Sequence, residues 1–255
     1  NSGFLVFLGV AAFVVFIFAT GTGGEITDAF NAVSGAAADT APTATPEAGD
    51  QIPDIGGDTV DDAADTIPTF GLAFTQASAK AGLATLTTDD TPDSGYDRAE
   101  YGPKWTDVDR NGCNTRDDIL ARDLTDTKRD GCTVLSGSFV DPFTGSPFDY
   151  VRGSDPQPVA VVRVVGLESA WGAGASSWDV PRRAVFANDP LNLVTVSSAE
   201  ADVRAGRGPD GWLPPNAGFV CGWAARQVAV MVKYGLSVTS SERAALDGAL
   251  NTCTS

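Results

Sequence analysis

Hydrophobic and polar positions divide the chain into three unlike stretches. Residues 3–19, GFLVFLGVAAFVVFIFA, are apolar without a break. A helix of that length spans about 26 Å at ~1.5 Å per residue, close to the thickness of a hydrocarbon core. A helix packed in a soluble core keeps a polar face, and this run has none. The pattern predicts a retained single-pass anchor over residues 1–20. Residues 21–94 are then dominated by Ala, Thr, Asp, Gly and Pro, as in AAADTAPTATPEAGDQIPDIGGDTVDDAADTIP. Such a composition buries too little apolar surface to offset chain entropy. It predicts an extended tether, with one short helix near 72–86 (LAFTQASAKAGLATL). Ile26, Phe30, Ile52, Ile55, Ile67 and Phe70 punctuate the tether at intervals suited to short docking contacts.

From residue 95 onward the periodicities change element by element. Thr115, with Asp118 three residues on, marks the start of a helix through RDDILARDL. CTVLSGSFV alternates loosely and predicts a strand, DPFTG a turn, FDYVRG a second strand, and the β-branched run VAVVRVV a third. VPRRAVFA carries Pro181 in the first turn of a predicted helix. CGWAARQVAVMVKYG predicts a helix stopped by Gly235, and Thr239 with Glu242 forms a capping box for a last helix through Leu250. Short strands mixed with several helices predict an α+β domain over residues 95–255.

Charge sharpens the division. The net charge is −16, but residues 20–95 hold thirteen of the 33 acids and one of the 17 bases, leaving about −4 for residues 96–255. The acidity belongs to the tether. The basic surplus that phosphate neutralisation demands of a nucleic-acid-binding domain is absent, so no nucleic-acid partner is expected. Four cysteines, no histidine and no C-x-x-C pair speak against a zinc site and for two disulfides. Three pairings are formally open. An antiparallel pairing of the last two helices places Cys221 beside Cys253, which leaves Cys113 with Cys132, across the predicted helix. Disulfides imply an oxidising compartment, so the C-terminal domain is expected on the extracytoplasmic side of the cell membrane.

A series of phrases carries a resemblance. GYDR, WTDVDRNGCNTRDDILARDLTD, SGSFVDPFTG, WGAGASSW, RRAVFANDPLNLVTV, GWLPPN and CGWAARQVAVMVKYGLSVTSSE together resemble secreted bacterial HNH endonuclease-like proteins, in order and at similar spacing over residues 95–253. The resemblance implies a ββα-metal-like domain. In such proteins a strand Asp-His pair supplies a metal ligand and a water-activating base, and a later helix supplies Asn and Lys. Here those positions read Val162, Arg163, Ala201 and Arg204, while Asn192 and Arg116 are kept. Valine and alanine cannot ligate a cation, and arginine stays protonated and cannot accept a proton from water. The resemblance therefore implies a pseudoenzyme with no metal and no cofactor.

Strand alternation puts Val161, Arg163 and Val165 on one face and Val162 and Val164 on the other. Two uses of Arg163 compete: an anion site shared with Arg116, Arg204, Arg182 and Arg183, or an ion pair with an acid such as Glu168 that fills the vacated space. The second is the simpler. Trp171, Trp178, Trp212 and Trp223 are expected in the core. The leading expectation is an accessory subunit of a larger membrane protein complex, held through its anchor in the lipid bilayer and through its tether. No small-molecule substrate is implied. One alternative is an anion- or nucleic-acid-binding module built on Arg163 and its neighbours. The other is a metal-dependent nuclease with ligands relocated to Asp155, Glu168, Asp179 or Asp189.

Overall fold

The computed structural model describes residues 67–69 and 72–253. The expected anchor and most of the tether lie outside these residues. Among the described residues no helix is long and apolar enough to cross a membrane.

The fold is α+β. In chain order it runs β1 (Ile67–Thr69), β2 (Leu72–Phe74), α1 (Gln76–Thr85), α2 (Thr115–Asp123), β3 (Thr125–Asp130), β4 (Thr133–Val140), β5 (Pro147–Val151), β6 (Val159–Arg163), α3 (Leu167–Gly172), α4 (Val180–Ala187), β7 (Leu193–Ser197), α5 (Ser198–Arg204), α6 (Ala217–Tyr234) and α7 (Ser240–Leu250). The strands form three small antiparallel sheets, β1-β2, β3-β4-β5 and β6-β7.

The longest helix, α6, is the centre of the main core. Ala224, Ala225, Val228 and Met231 are buried against α1, α3, α4 and α7. Its end follows the sequence expectation: Gly235 takes the left-handed cap, and the Thr239–Glu242 capping box opens α7. The disulfide Cys221–Cys253 ties the second turn of α6 to the residue region after α7, and Cys113–Cys132 spans α2 and β3.

Three expectations shift. The helix near 72–86 divides into β2 and α1, with Thr75 capping α1. Helix α2 is capped by Asn114, whose side chain accepts from the Asp117 amide; Thr115 is inside the helix and its hydroxyl donates to Thr106 O. An amide side chain one residue earlier meets the free N–H groups first.

The third shift is the domain boundary. Ala79, Leu83 and Leu86 are buried in the main core, and Gly82 lies where α1 crosses α6: a Cβ there would stand 3.1 Å from Val228 Cγ1. The segment that follows is tied down as well. Asp89 N donates to Val238 O, Asp93 N to Gly172 O, and the Trp171 indole to Ser94 O. Residues 76–94 are thus part of the packed domain.

Candidate functional site

Strands β6 and β7 and helix α5 form a ββα unit. The register pairs Val159 with Ser197 and Arg163 with Leu193, and Ser197 ends the second strand by capping α5. The five residues of β7 are all buried, so this unit is anchored from beneath. Its underside is an apolar cluster of Phe143, Val164, Val194, Val196, Phe219 and Trp223, against which Val162, Ala201 and Trp212 pack.

Above this floor is a groove of about 440 Å³. Val162, Arg163, Ala201 and Arg204, four positions separated by up to 42 residues in sequence, all line it. With them are Tyr96, Arg98, Lys104 and Glu168. The strand brings Val162 and Arg163 to its last turn-out, and α5 brings Ala201 and Arg204 one helical turn apart on the facing side.

The two arginines of the unit have different surroundings. Arg204 is buried, and its Nη1 and Nη2 donate to the carbonyls of Arg163 and Val164. Its guanidinium carbon lies 5.0 Å from the Trp223 ring centroid and 6.0 Å from that of Trp212. Arg204 thereby fastens the helix to the end of β6. Burial pulls its pKa down to about 10, so it remains a cation at neutral pH.

Arg163 forms no ion pair with Glu168. Its Nε donates to Ala187 O at 2.9 Å, its guanidinium stands 5.5 Å from the Trp105 ring centroid, and its Nη2 is buried without a partner. Burial and then the like charge of Arg98 pull Arg163 down to about 10. Arg98 donates from Nη1 to Gly102 O and likewise leaves Nη2 buried and unpartnered. Neither guanidinium has a carboxylate within ion-pair distance among the described residues.

The other expected arginines are elsewhere. Arg116 lies on α2 with its guanidinium 5.9 Å from the Tyr150 ring centroid. Arg182 stacks on Trp178 at 4.5 Å and donates to Tyr234 O. Arg183 is buried, paired with Glu100 at 2.8 Å and bonded to the carbonyls of Ala175, Ser176 and Trp178. All three hold the packing of α2 or α4 and do not line the groove. Asn192 is fully buried and acts as a clamp: its Oδ1 accepts from Val165 N, and its Nδ2 donates to Val165 O and Phe186 O. It fixes the chain just past Arg163.

The relocated-ligand residues are not gathered. Asp179 caps α4, while Asp189 accepts from Leu191 N and the Tyr234 hydroxyl and pairs with Lys233. Asp155 is exposed, and only Glu168 reaches the groove. Among the described residues no three His, Cys, Asp or Glu side chains are grouped to hold a metal ion.

Arg98, Lys104 and Tyr96 were not expected here. They lie some sixty residues before Arg163 in sequence. The segment reaches the groove because the Tyr101 hydroxyl, fully buried, donates to Leu167 O at 2.8 Å. The phrase GYDR contains Arg98, but nothing in its spacing tells where that docking point is.

An uncharacterized secreted protein of the fungus Arthroderma benhamiae is 36% identical to the chain over 191 residues, covering 74% of the chain and 89% of the relative. This chain belongs to that protein's family. The family's fungal member is described as secreted, and the two disulfides of the present member fit an extracellular domain. No protein-family profile matches the chain, and no solved structure does.

Proposed function

We propose that the packed domain is a catalytically silent, extracellular relative of HNH nucleases: the ββα frame is kept, and the hydrolytic chemistry is gone. One observation carries the reading. The four positions where the resemblance calls for a metal ligand, a base and two helix polar groups converge on a single groove, and they present Val162, Arg163, Ala201 and Arg204. Phosphodiester hydrolysis needs a proton acceptor for the attacking water and oxygen or nitrogen ligands for the metal. Two hydrocarbon side chains and two guanidinium groups provide neither. Glu168 is the one carboxylate among the groove's described lining residues, and no His, Cys, Asp or other Glu lines the groove with it.

A domain of this kind serves by binding or assembly. The long apolar run at 3–19 and the acidic stretch that follows favour an accessory subunit of a membrane assembly. The test of silence is hydrolysis of bis(4-nitrophenyl) phosphate from pH 5 to 9 with Mg²⁺, Mn²⁺, Zn²⁺ or Ca²⁺. The expected rate equals the buffer rate at every pH and with every metal. A metal-dependent rate that rises with pH and disappears in Arg163→Ala would refute it.

A further inference from the structure

The groove retains an excess of charge that the fold does not use. Arg98, Lys104 and Arg163 line it, and Glu168 is the one acid among its lining residues. The Nη2 atoms of Arg98 and Arg163 are buried with no partner, and so is Nε of Arg204. Lys104 is exposed and has no side-chain hydrogen bond or ion pair among the described residues. Arg98 and Arg163 are half-buried, and their like charges oppose each other. Elsewhere in the molecule the arginines are consumed by structure: Arg183 pairs with Glu100, Arg152 with Asp117 and Arg122 with Asp123. Within the groove, guanidinium donors of Arg98, Arg163 and Arg204 are buried and unsatisfied.

We propose that this groove is a receptor for a dianionic phosphate group, either orthophosphate or a terminal phosphate monoester, bound by Arg98, Lys104 and Arg163 and released unchanged. The proposal rests on the reading of the groove as catalytically silent, because a bound ester must survive its stay. The charge balance selects the ligand class. Four cations, Arg98, Lys104, Arg163 and Arg204, face one carboxylate, Glu168, among the described lining residues, and a dianion offsets more of that surplus than a phosphodiester monoanion does. The guanidinium N–H groups offer the planar, forked donors that tetrahedral oxyanions accept, and the Lys104 ammonium adds a mobile point charge at the rim. Trp105 holds the Arg163 guanidinium against its ring, and Ala187 O fixes its Nε, so the side chain is held in place before the ligand arrives. Arg204 stays on its carbonyls and forms the floor.

The experiment is calorimetric titration of the full chain, in chelator and 50 mM chloride, with three probes: orthophosphate, methyl phosphate and dimethyl phosphate. The expected result is saturable binding of the first two, at least ~10-fold tighter than dimethyl phosphate. Binding of orthophosphate alone identifies free phosphate as the source, and equal binding of methyl phosphate identifies an ester terminus. Lys104→Ala, which removes a side chain without structural partners, weakens binding several-fold, and Arg163→Gln weakens it about tenfold or more. Thermal unfolding in buffer shows whether Arg163→Gln folds, and the Lys104→Ala result decides the matter if it does not. Absence of saturation, equal affinity for dimethyl phosphate, or affinities untouched by Lys104→Ala would overturn the proposal. None of these readings involves a metal or bond cleavage. A failure here leaves catalytic silence standing, whereas hydrolysis of the bis-ester would remove silence whatever the binding data show.

Discussion

At the scale of single residues, the account turns on what a guanidinium can and cannot do. Arg163 and Arg204 stand where the resemblance to HNH endonuclease-like proteins names a base and a polar helix side chain, and the structure gives them opposite duties. Arg204 is satisfied by two carbonyls and held against two indoles, and Arg163 is left with a donor to spare. Sequence reasoning located Val162, Arg163, Ala201 and Arg204 through the resemblance, and it counted Arg116, Arg182 and Arg183 as their companions. Those three went astray because arginine is equally at home as a packing residue, stacking its plane on an aromatic ring and capping carbonyl ends. No spacing rule separates that use from anion binding. Asn192 illustrates the reverse: it was recognised as retained, and its duty, pinning Val165 on both backbone atoms, became visible in three dimensions. Replacing it by alanine strands a buried N–H and C=O, which costs about 2–4 kcal/mol. Urea unfolding of Asn192→Ala is expected to show a loss of that size. A change below 0.5 kcal/mol would mean the clamp is idle.

At the scale of elements, the helices through RDDILARDL, VPRRAVFA and CGWAARQVAVMVKYG, the last helix, and the strands in CTVLSGSFV, FDYVRG and VAVVRVV are legible in the sequence, whereas β3 and α5 are not. Helix α6 announces itself by its length and its terminal glycine. Strand β3, TDTKRD, is polar and almost wholly exposed, so its pairing with β4 leaves no hydrophobic alternation to read. Helix α5, SAEADVR, has seven residues, too few for a periodicity. Helix α1 reads as tether in the sequence because its large apolar residues are few, Leu83 within it and Leu86 at its C-cap, and its partner surface on α6 is far away in sequence. Gly82 lets the two helices approach, and a larger side chain must push Val228 and Val232 aside. Gly82→Val is expected to destabilise by about 1–3 kcal/mol through overpacking. If α1 were part of a free tether, the same change would leave the melting temperature unmoved.

At the scale of the whole molecule, the four cysteines are legible as two disulfides, which fit a domain in an oxidising compartment. Residues 76–94 are held to the rest of this domain in part by carboxylates. Asp90 accepts from the Ser240 amide at 2.6 Å and from its hydroxyl at 2.7 Å, at the first turn of α7. The backbone hydrogen bond and then the side-chain one hold its pKa below 3.8. Because the folded value is depressed, the tie is complete above the unfolded value, near 4, and is lost as pH falls through the lower folded one. An acid titration followed by NMR at the Ser240 amide should show its midpoint below 3.8; a midpoint at or above 3.8 would mean the contact does not form.

The proposal of catalytic silence rests on a ββα frame around a groove in which the four positions named by the resemblance, Val162, Arg163, Ala201 and Arg204, offer hydrocarbon and cations in place of a base and metal ligands. The most direct measurement is incubation of end-labelled DNA and RNA with a molar excess of the purified protein, with Mg²⁺, Mn²⁺ or Zn²⁺, resolved on a denaturing gel. The account predicts full-length strands at every time point, identical with and without chelator. Shortened strands that appear with metal, disappear with chelator and are lost in Arg163→Ala would contradict it.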